Sequence, residues 1–331
     1  MHYPRPFARA ALAVAGAFAL IAAVPASATT ILFVGNSFTY GEPAGAAAPT
    51  VQAFRPTTVT DLNGTGIGGV PALFKAFTDQ AGLDYKVSLE TSPGKGLDWH
   101  YDNALSKIAQ PFDKVVLQSY STLDANKPGD PTTLIKYSGL LAQALHDQNP
   151  NVNIMLDSTW SRADKTYSDD KSPWYGDSIY QMALDLRAGY NKADQASDLI
   201  NGVIPVGEAW NRAIADGVAD ANPYDGIDAG KVNLWAPENY HASVYGYYLE
   251  ALTMFGSVTG LDPRSLGAGE TAAGELGINA RTAVALQQIA AAQLAAERSG
   301  NVPEPAMALT FASMGGLMWV ARRRKGKKAQ A

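Results

Sequence analysis

The chain has 331 residues, with 26 Lys and Arg, 31 Asp and Glu, and no Cys. Without cysteine it can form no disulfide and can use no thiolate chemistry. When residues 1–28 and 306–331 are set aside, 18 basic residues remain against 31 acidic ones, a net charge of about −13. Such an acidic body argues against nucleic-acid binding.

Residues 1–28 have the layout of a secretory signal peptide. Arg5 and Arg9 precede the apolar run "AALAVAGAFALIAAV", and the segment ends on Ala26-Ser27-Ala28. A basic start, an apolar centre and an A-x-A end predict cleavage after Ala28 and export of the protein. The alternative is an N-terminal membrane anchor, for which the apolar run is short.

Residues 299–331 also look like a targeting segment. Pro303-Glu304-Pro305 is followed by an apolar stretch over 306–321 and then by six Arg and Lys within 322–328. This order predicts membrane insertion with the basic end in the cytoplasm. It resembles the PEP-CTERM sorting signal of Gram-negative bacteria, which implies transient inner-membrane anchoring, an exosortase-type processing partner, and delivery to the periplasm, cell surface or extracellular matrix. An ordinary C-terminal anchor is the alternative.

Residues 29–298 suit one α/β domain in which strands and helices alternate. The segments that favour strands are Thr30–Val34, Tyr85–Glu90, Lys114–Gln118, Val152–Leu156 and Gly202–Val206. The segments that favour helices are Val70–Gln80, Asn103–Ala109, Pro131–Asp147, Ile179–Ser197, Ala242–Gly256 and Thr271–Glu297. Short apolar strands of this kind are typical of a parallel sheet that is covered by helices on both faces.

Polar residues follow the predicted strands at positions where packing does not require them. Gly35-Asn36-Ser37 follows the first strand, Gly94 and Gly96 follow the second, and Gln118 ends the third. The carboxyl ends of parallel strands meet at one edge of the sheet, where active sites of α/β proteins collect. We therefore expect these residues to lie near one another.

A serine nucleophile needs a base, which is most often a histidine. After signal-peptide removal only His100, His146 and His241 remain. His146 lies near the end of a predicted helix and is expected at the surface, whereas His100 follows Trp99 and could line a cleft. His241 has Glu238 three residues before it, so a carboxylate can hold the imidazole in one tautomer, as a Ser-His-acid arrangement requires.

This combination resembles the SGNH, or GDSL-like, hydrolase superfamily, in particular its branch with a Gly-Asn-Ser-Phe-Thr block. The resemblance implies a three-layer α/β/α sandwich with a flavodoxin-like parallel sheet of about five strands. It implies Ser37 as nucleophile, His241 as base and Glu238 as acid. It also implies an oxyanion hole formed by the Ser37 N–H, Gly94 and Gln118, with Gly96 as the second choice to Gly94.

Two positions depart from the usual pattern of that superfamily. Gln118 stands where an asparagine is usual, and its amide can donate the same hydrogen bond from a longer side chain. Glu238 stands where an aspartate is usual, and Asp225 and Asp228 in the preceding loop are alternative acids. We also expect Trp235 and Tyr240 to line the rim of the site.

The resulting expectation is an exported serine esterase that uses neither cofactor nor metal and has O-acetyl groups on polysaccharide as its candidate substrate. The alternative is a surface-displayed binding or matrix protein on the same fold that has lost catalysis. Two further motifs are set aside. Gly176-Asp177-Ser178 has no strand before it and predicts a helix N-cap, and the glycine pattern Gly64-x-Gly66-x-x-Gly69 follows a poor strand for a dinucleotide site.

Overall fold

The structure is a computed structural model and describes residues 27–300. The targeting segments that the sequence predicts at 1–28 and 299–331 lie almost wholly outside the described residues. Six strands form one parallel sheet in the spatial order β2-β3-β1-β4-β5-β6. The strands are β1 (Thr29–Gly35), β2 (Thr60–Asp61), β3 (Tyr85–Thr91), β4 (Lys114–Leu117), β5 (Asn153–Ser158) and β6 (Val203–Pro205).

Ten α-helices accompany the sheet within the described residues. They are α1 (Ser37–Tyr40), α2 (Gly69–Gln80), α3 (Leu97–Ile108), α4 (Thr132–His146), α5 (Ala163–Tyr167), α6 (Ile179–Gln195), α7 (Val206–Ala215), α8 (Val244–Thr259), α9 (Thr271–Glu275) and α10 (Ala280–Ser299). None of the helices in this part of the chain combines the length and apolarity needed to cross a membrane.

Alternation along β1 explains why the sheet is covered on both faces. Ile31 and Phe33 belong to one apolar cluster, whereas Leu32 and Val34 belong to a second, and all four are 0% exposed. Successive side chains of a strand point to opposite faces, so β1 separates two cores. Helices α2, α7, α8 and α10 supply the first cluster, and α3, α4 and α6 supply the second.

The predicted fold class is confirmed as a three-layer α/β/α sandwich with a parallel sheet. Without the two-residue β2 at the edge, the strand order is β3-β1-β4-β5-β6, which is the flavodoxin-like order. The sheet therefore has six strands where about five were expected. All five predicted strands are present within two residues of their predicted bounds.

The short helices α1 and α5 were not predicted, and the longer helices differ most from the prediction in three places. Helix α3 begins at Leu97, six residues before its predicted start, because Gly96 ends the preceding turn in extended backbone. Helix α7 was not predicted, because it follows β6 without a connecting turn. The long predicted helix over 271–297 is two helices, since Gly277 takes a positive φ of 74° between them.

Two carboxylic acids lie inside the core. Asp157 in β5 and Glu250 in α8 are both 0% exposed, and none of their four carboxyl oxygens has a hydrogen-bond partner among the described residues. Burial raises the pKa of both groups, and repulsion from Asp157 raises the pKa of Glu250 further. The folded protein therefore holds these groups protonated at pH values where the unfolded chain ionises them.

We expect the free energy of unfolding to fall as the pH rises from about 4 through neutrality, because the unfolded state binds fewer protons than the folded state in that range. Asp157→Asn should flatten this dependence, whereas Asp84→Asn at an exposed position should leave it unchanged. Urea unfolding at several pH values measures it. An Asp157→Asn profile as steep as that of the wild type would contradict this account.

Candidate functional site

The turn between β1 and α1 presents Ser37. Helix α1 begins at Ser37, and the Asn36 side chain caps it by accepting a hydrogen bond from the Phe38 N–H at 3.1 Å. As the first residue of the helix, Ser37 has a backbone N–H with no intrahelical acceptor. Ser37 is 5% exposed, so the turn holds it almost fully enclosed at the carboxyl edge of the sheet.

Gln118, at the end of β4, holds this turn in place. Its Oε1 accepts a hydrogen bond from the Asn36 N–H at 2.9 Å and another from Thr39 Oγ1 at 3.1 Å. A Cβ atom on Gly35 would lie 2.1 Å from Thr39 Oγ1 and 2.7 Å from Gln118 Oε1. Only glycine fits at position 35, because these side chains occupy the space next to its Cα.

The Asn36 side chain adds two links across the carboxyl edge of the sheet. Its Nδ2 donates hydrogen bonds to the Lys95 carbonyl at 2.8 Å and to the Ser119 carbonyl at 3.0 Å. The turn after β1 is thereby joined to the segments that follow β3 and β4. These links bring together the three strand ends that the sequence predicted to converge.

The predicted oxyanion-hole residues take different positions. Gly94 is exposed at the third position of a turn that the Lys95 N–H closes onto the Ser92 carbonyl, and it has the positive φ of 67° that a type II turn requires. Gly96 is buried, and a Cβ atom there would lie 2.2 Å from the Tyr120 ring. The predicted roles of both glycines stay predictions.

The Gln118 amide is engaged in a way the sequence did not predict. Besides its two bonds to the turn, its Nε2 donates to the carbonyl of Ser119. Gln118 is 0% exposed, and its carbonyl stabilises the turn through the two hydrogen bonds to Asn36 and Thr39. The amide nitrogen carries a second N–H, and its role as an oxyanion donor stays a prediction.

His241 and Glu238 form a hydrogen-bonded pair. Glu238 Oε1 lies 2.7 Å from His241 Nδ1 and also accepts a hydrogen bond from the His241 backbone N–H at 2.8 Å. Both residues lie in the histidine loop, residues 236–241, which is closed by a hydrogen bond from the Ala236 N–H to the His241 carbonyl. The longer Glu side chain therefore reaches the imidazole, and it fixes the ring with Nδ1 towards the carboxylate.

His241 lies beside helix α1. Its ring centroid is 5.6 Å from that of Phe38, and the hydroxyl of Tyr247 donates to the Ser37 carbonyl at 3.2 Å. His241 Nε2 is buried and has no hydrogen-bond partner within residues 27–300, so Ser37 Oγ and His241 Nε2 are not bonded to each other here. The structure thus places the two residues on adjoining elements without joining them directly.

Charges around the imidazole act in opposite directions. Burial has the largest effect and lowers the pKa of His241. The hydrogen bond to Glu238 and the negative charges of Glu238 and Glu42 raise this pKa, whereas the positive charge of Arg162 lowers it. The net direction is downward, so the neutral imidazole is favoured at neutral pH. A neutral ring with Nε2 unpartnered is the form in which histidine accepts a proton.

Other expected residues lie elsewhere. Asp225 accepts a hydrogen bond from Asn222, and Asp228 pairs with Lys231, so neither contacts His241. Trp235 is 2% exposed, and the expectation that it lines the rim is wrong because its Nε1 donates inward to the Ser161 carbonyl. Tyr240 is half-buried, and Ser178 is an N-cap, as predicted.

The sequence did not reveal a second His–Glu pair. His100 Nδ1 lies 2.5 Å from Glu90 Oε2, and both side chains are at most 1% exposed. Glu90 pairs in register with Val34, next to the Ser37 turn. The expectation that His100 lines a cleft is therefore wrong, because the side chain is completely enclosed. The only signal was a carboxylate one residue before the end of β3, ten positions before the histidine.

Within residues 27–300, no group of three or more His, Asp or Glu side chains could hold a metal ion.

No protein-family model matches the chain, and no curated protein does. Solved structures match more distantly. They include one described as a GDSL-like lipase from Parabacteroides merdae, at 16% identity and a TM-score of 0.46 over 70% of this chain and 95% of that one.

Two further solved structures are esterases. A family 3 carbohydrate esterase from Clostridium thermocellum is 14% identical with a TM-score of 0.41, covering 69% of this chain and 93% of its own. A psychrotrophic esterase from Pseudoalteromonas sp. is 11% identical with a TM-score of 0.42, covering 70% of this chain and 97% of its own. Scores this low carry no weight for function, which has to be inferred from the side chains themselves.

The Glu238–His241 hydrogen bond predicts how the pKa of His241 responds to substitution. Glu238→Gln should lower this pKa, because the carboxylate that stabilises the imidazolium is removed. Asp225→Asn and Asp228→Asn should leave it within about 0.2 units, since neither side chain contacts the ring. NMR titration of the His241 ring measures the pKa. A larger shift in either Asp variant than in Glu238→Gln would assign the acid to the preceding loop.

Proposed function

We propose that the protein is a serine hydrolase that cleaves carboxylic esters. The observation that carries this proposal is the Glu238–His241 pair, with Nδ1 held and Nε2 unpartnered, beside the helix that begins at Ser37. A nucleophile, a base and a group that orients the base are the three parts of such a site. The parallel sheet supplies the edge at which they meet.

In the proposed reaction, Ser37 Oγ attacks the ester carbonyl carbon while its proton passes to His241 Nε2. The carbonyl oxygen becomes an oxyanion, which the Ser37 N–H stabilises together with the predicted donors at Gly94 and Gln118. The bond to the alcohol oxygen then breaks as His241 returns its proton to that oxygen. Water, deprotonated by His241, hydrolyses the acyl-serine and releases the acid.

Glu238 has the role of orienting the base. Its carboxylate accepts the Nδ1–H of His241 and so keeps the lone pair on Nε2, where the proton must be received. The Tyr247 hydroxyl, which donates to the Ser37 carbonyl at 3.2 Å, supports the position of α1 relative to the histidine loop. A small rotation of the Ser37 or His241 side chain on substrate binding would then close the hydrogen bond, since such bonds are often long in free enzymes.

We further propose O-acetyl groups on polysaccharide as the substrate class. The support is the resemblance of 299–331 to a sorting signal, because a protein delivered to the cell surface or matrix meets acetylated polysaccharide there. Export and an exosortase-type partner belong to the same proposal. The second candidate is a binding or matrix protein without catalysis, and it is favoured by the missing hydrogen bond between Ser37 and His241.

We expect the purified protein to hydrolyse p-nitrophenyl acetate, with Ser37→Ala and His241→Ala each lowering kcat by about 1,000-fold or more. Ser178→Ala is the control, because Ser178 lies at the start of a helix as its N-cap and has no role in the proposed mechanism, and it should leave kcat unchanged. A fluorophosphonate probe should label Ser37.

Two results would count against the proposal. Full activity in Ser37→Ala would exclude Ser37 as the nucleophile, and labelling at another serine would place the site elsewhere. A folded wild-type protein without hydrolysis or labelling, but with measurable binding to acetylated polysaccharide, would favour the second candidate.

A further inference from the structure

The histidine loop is held by the segment that follows β5. The Asp164 N–H donates to the Asn239 carbonyl at 3.0 Å, and Trp160 Nε1 donates to the Tyr240 carbonyl at 3.3 Å. Asn239 has the positive φ of 61°, a conformation that non-glycine residues adopt rarely and that its surroundings must stabilise. The bonds from residues 160–164 supply that stabilisation.

The His241 ring contacts two aromatic neighbours, Phe38 and Tyr240, which also contact each other at 5.5 Å. The Phe38 centroid is 5.6 Å away, and Phe38 is itself fixed by stacking on the fully buried Trp160 at 4.4 Å. The Tyr240 centroid is 4.0 Å from that of His241. Tyr240 is only half-buried, so its ring needs a further contact to stay in place.

Arg162 supplies that contact. Its Cζ lies 3.6 Å from the centroid of the Tyr240 ring, which is close for a cation–π pair. Its Nε and Nη2 donate to the two carboxylate oxygens of Asp164 at 3.0 and 2.6 Å, and its Nη1 lies 3.4 Å from Ser121 Oγ. The planar guanidinium is thus fixed on both of its edges while its face covers the tyrosine.

We propose that Arg162 is a positioning residue that, through the ring of Tyr240, fixes the orientation of the His241 imidazole. Arg162 has no predicted part in the chemical steps, and it acts on the base alone. This inference rests on the proposed function for its kinetic consequences, but the state of His241 can be measured without catalysis.

The charge of Arg162 has a second effect on His241. The charged groups that face the imidazole are Glu238 on its own loop, Glu42 after α1 and Arg162 after β5. The two carboxylates favour the imidazolium and the guanidinium opposes it, so removal of the guanidinium should raise the pKa of His241. The base would then be protonated at higher pH, and the acidic limb of the pH–rate profile would move up.

The test compares Arg162→Met, which removes the charge and the planar fork, with Arg162→Lys, which keeps the charge only. In the full-length protein, Arg162→Met should raise the pKa of His241 by about 0.5 units or more, measured by NMR titration. Both variants should lower kcat for p-nitrophenyl acetate about tenfold while KM changes less than about twofold.

Arg55→Met is the matched control. Arg55 also stacks on an aromatic ring, at 5.1 Å from the Phe54 centroid, and pairs with a carboxylate, Glu275. Arg55 is not among the groups that change the pKa of His241, so the loss of Arg55 should change neither that pKa nor kcat. In a Tyr240→Ala background, Arg162→Met should cause no additional loss of kcat on the pH-independent plateau, because the ring that transmits the positioning effect is already absent and the charge effect moves only the acidic limb.

The outcomes separate this inference from the proposed function. A wild-type kcat or a wild-type His241 pKa in a folded Arg162→Met would overturn it, as would additive losses of plateau kcat in the double variant. If Arg162→Met fails to fold, Arg162→Lys decides, and an unchanged kcat there overturns the inference. If the wild type has no esterase activity, the proposed function fails, but an unchanged His241 pKa in Arg162→Met still overturns the inference about Arg162.

Discussion

The hydrogen bond from the Asn36 N–H to Gln118 Oε1 is the interaction on which the candidate site depends. It joins the end of the central strand β1 to the end of β4, and its acceptor is wholly buried. A buried donor left without this partner would cost about 1–3 kcal/mol. Because Gln118 also binds Thr39, one side chain fixes both ends of the short helix that begins with Ser37.

The histidine side of the site depends on a different kind of interaction. Its loop has few backbone bonds of its own and is held by aromatic packing and by the segment after β5. The two halves meet where Phe38 contacts His241 and Tyr247 contacts the Ser37 carbonyl. The nucleophile is therefore positioned by buried hydrogen bonds, and the base by aromatic contacts together with its hydrogen bond to Glu238.

The sequence predicted the sheet well because its strands are short apolar runs ended by polar residues. Residues 31–34 and 115–117 are buried on both faces, and the parallel order follows from the helices between them. The Glu238–His241 contact was also predictable, since Glu238 precedes His241 by only three positions. Helix α7 was missed because strand and helix meet at Pro205–Val206 without the polar residues that usually mark a boundary.

Other features depend on tertiary contacts that leave little trace in sequence. The sequence predicted a donor role for the Gln118 amide, which stays a prediction, but it did not show that the Gln118 carbonyl accepts the Asn36 N–H. Arg162 and Tyr240 are 78 positions apart, and Glu90 and His100 are joined only by the docking of α3 on the sheet. Trp235 looked like a rim residue because composition does not tell which way an indole N–H points.

The packing around Gly35 also limits how this sequence can change. Thr39 Oγ1 and Gln118 Oε1 occupy the space that a side chain at position 35 would need. An alanine at 35 requires a smaller residue at 39 and a displaced amide at 118, and either change releases the turn. Substitutions at positions 35, 39 and 118 should therefore be epistatic, so that related sequences change all three residues together or keep all three.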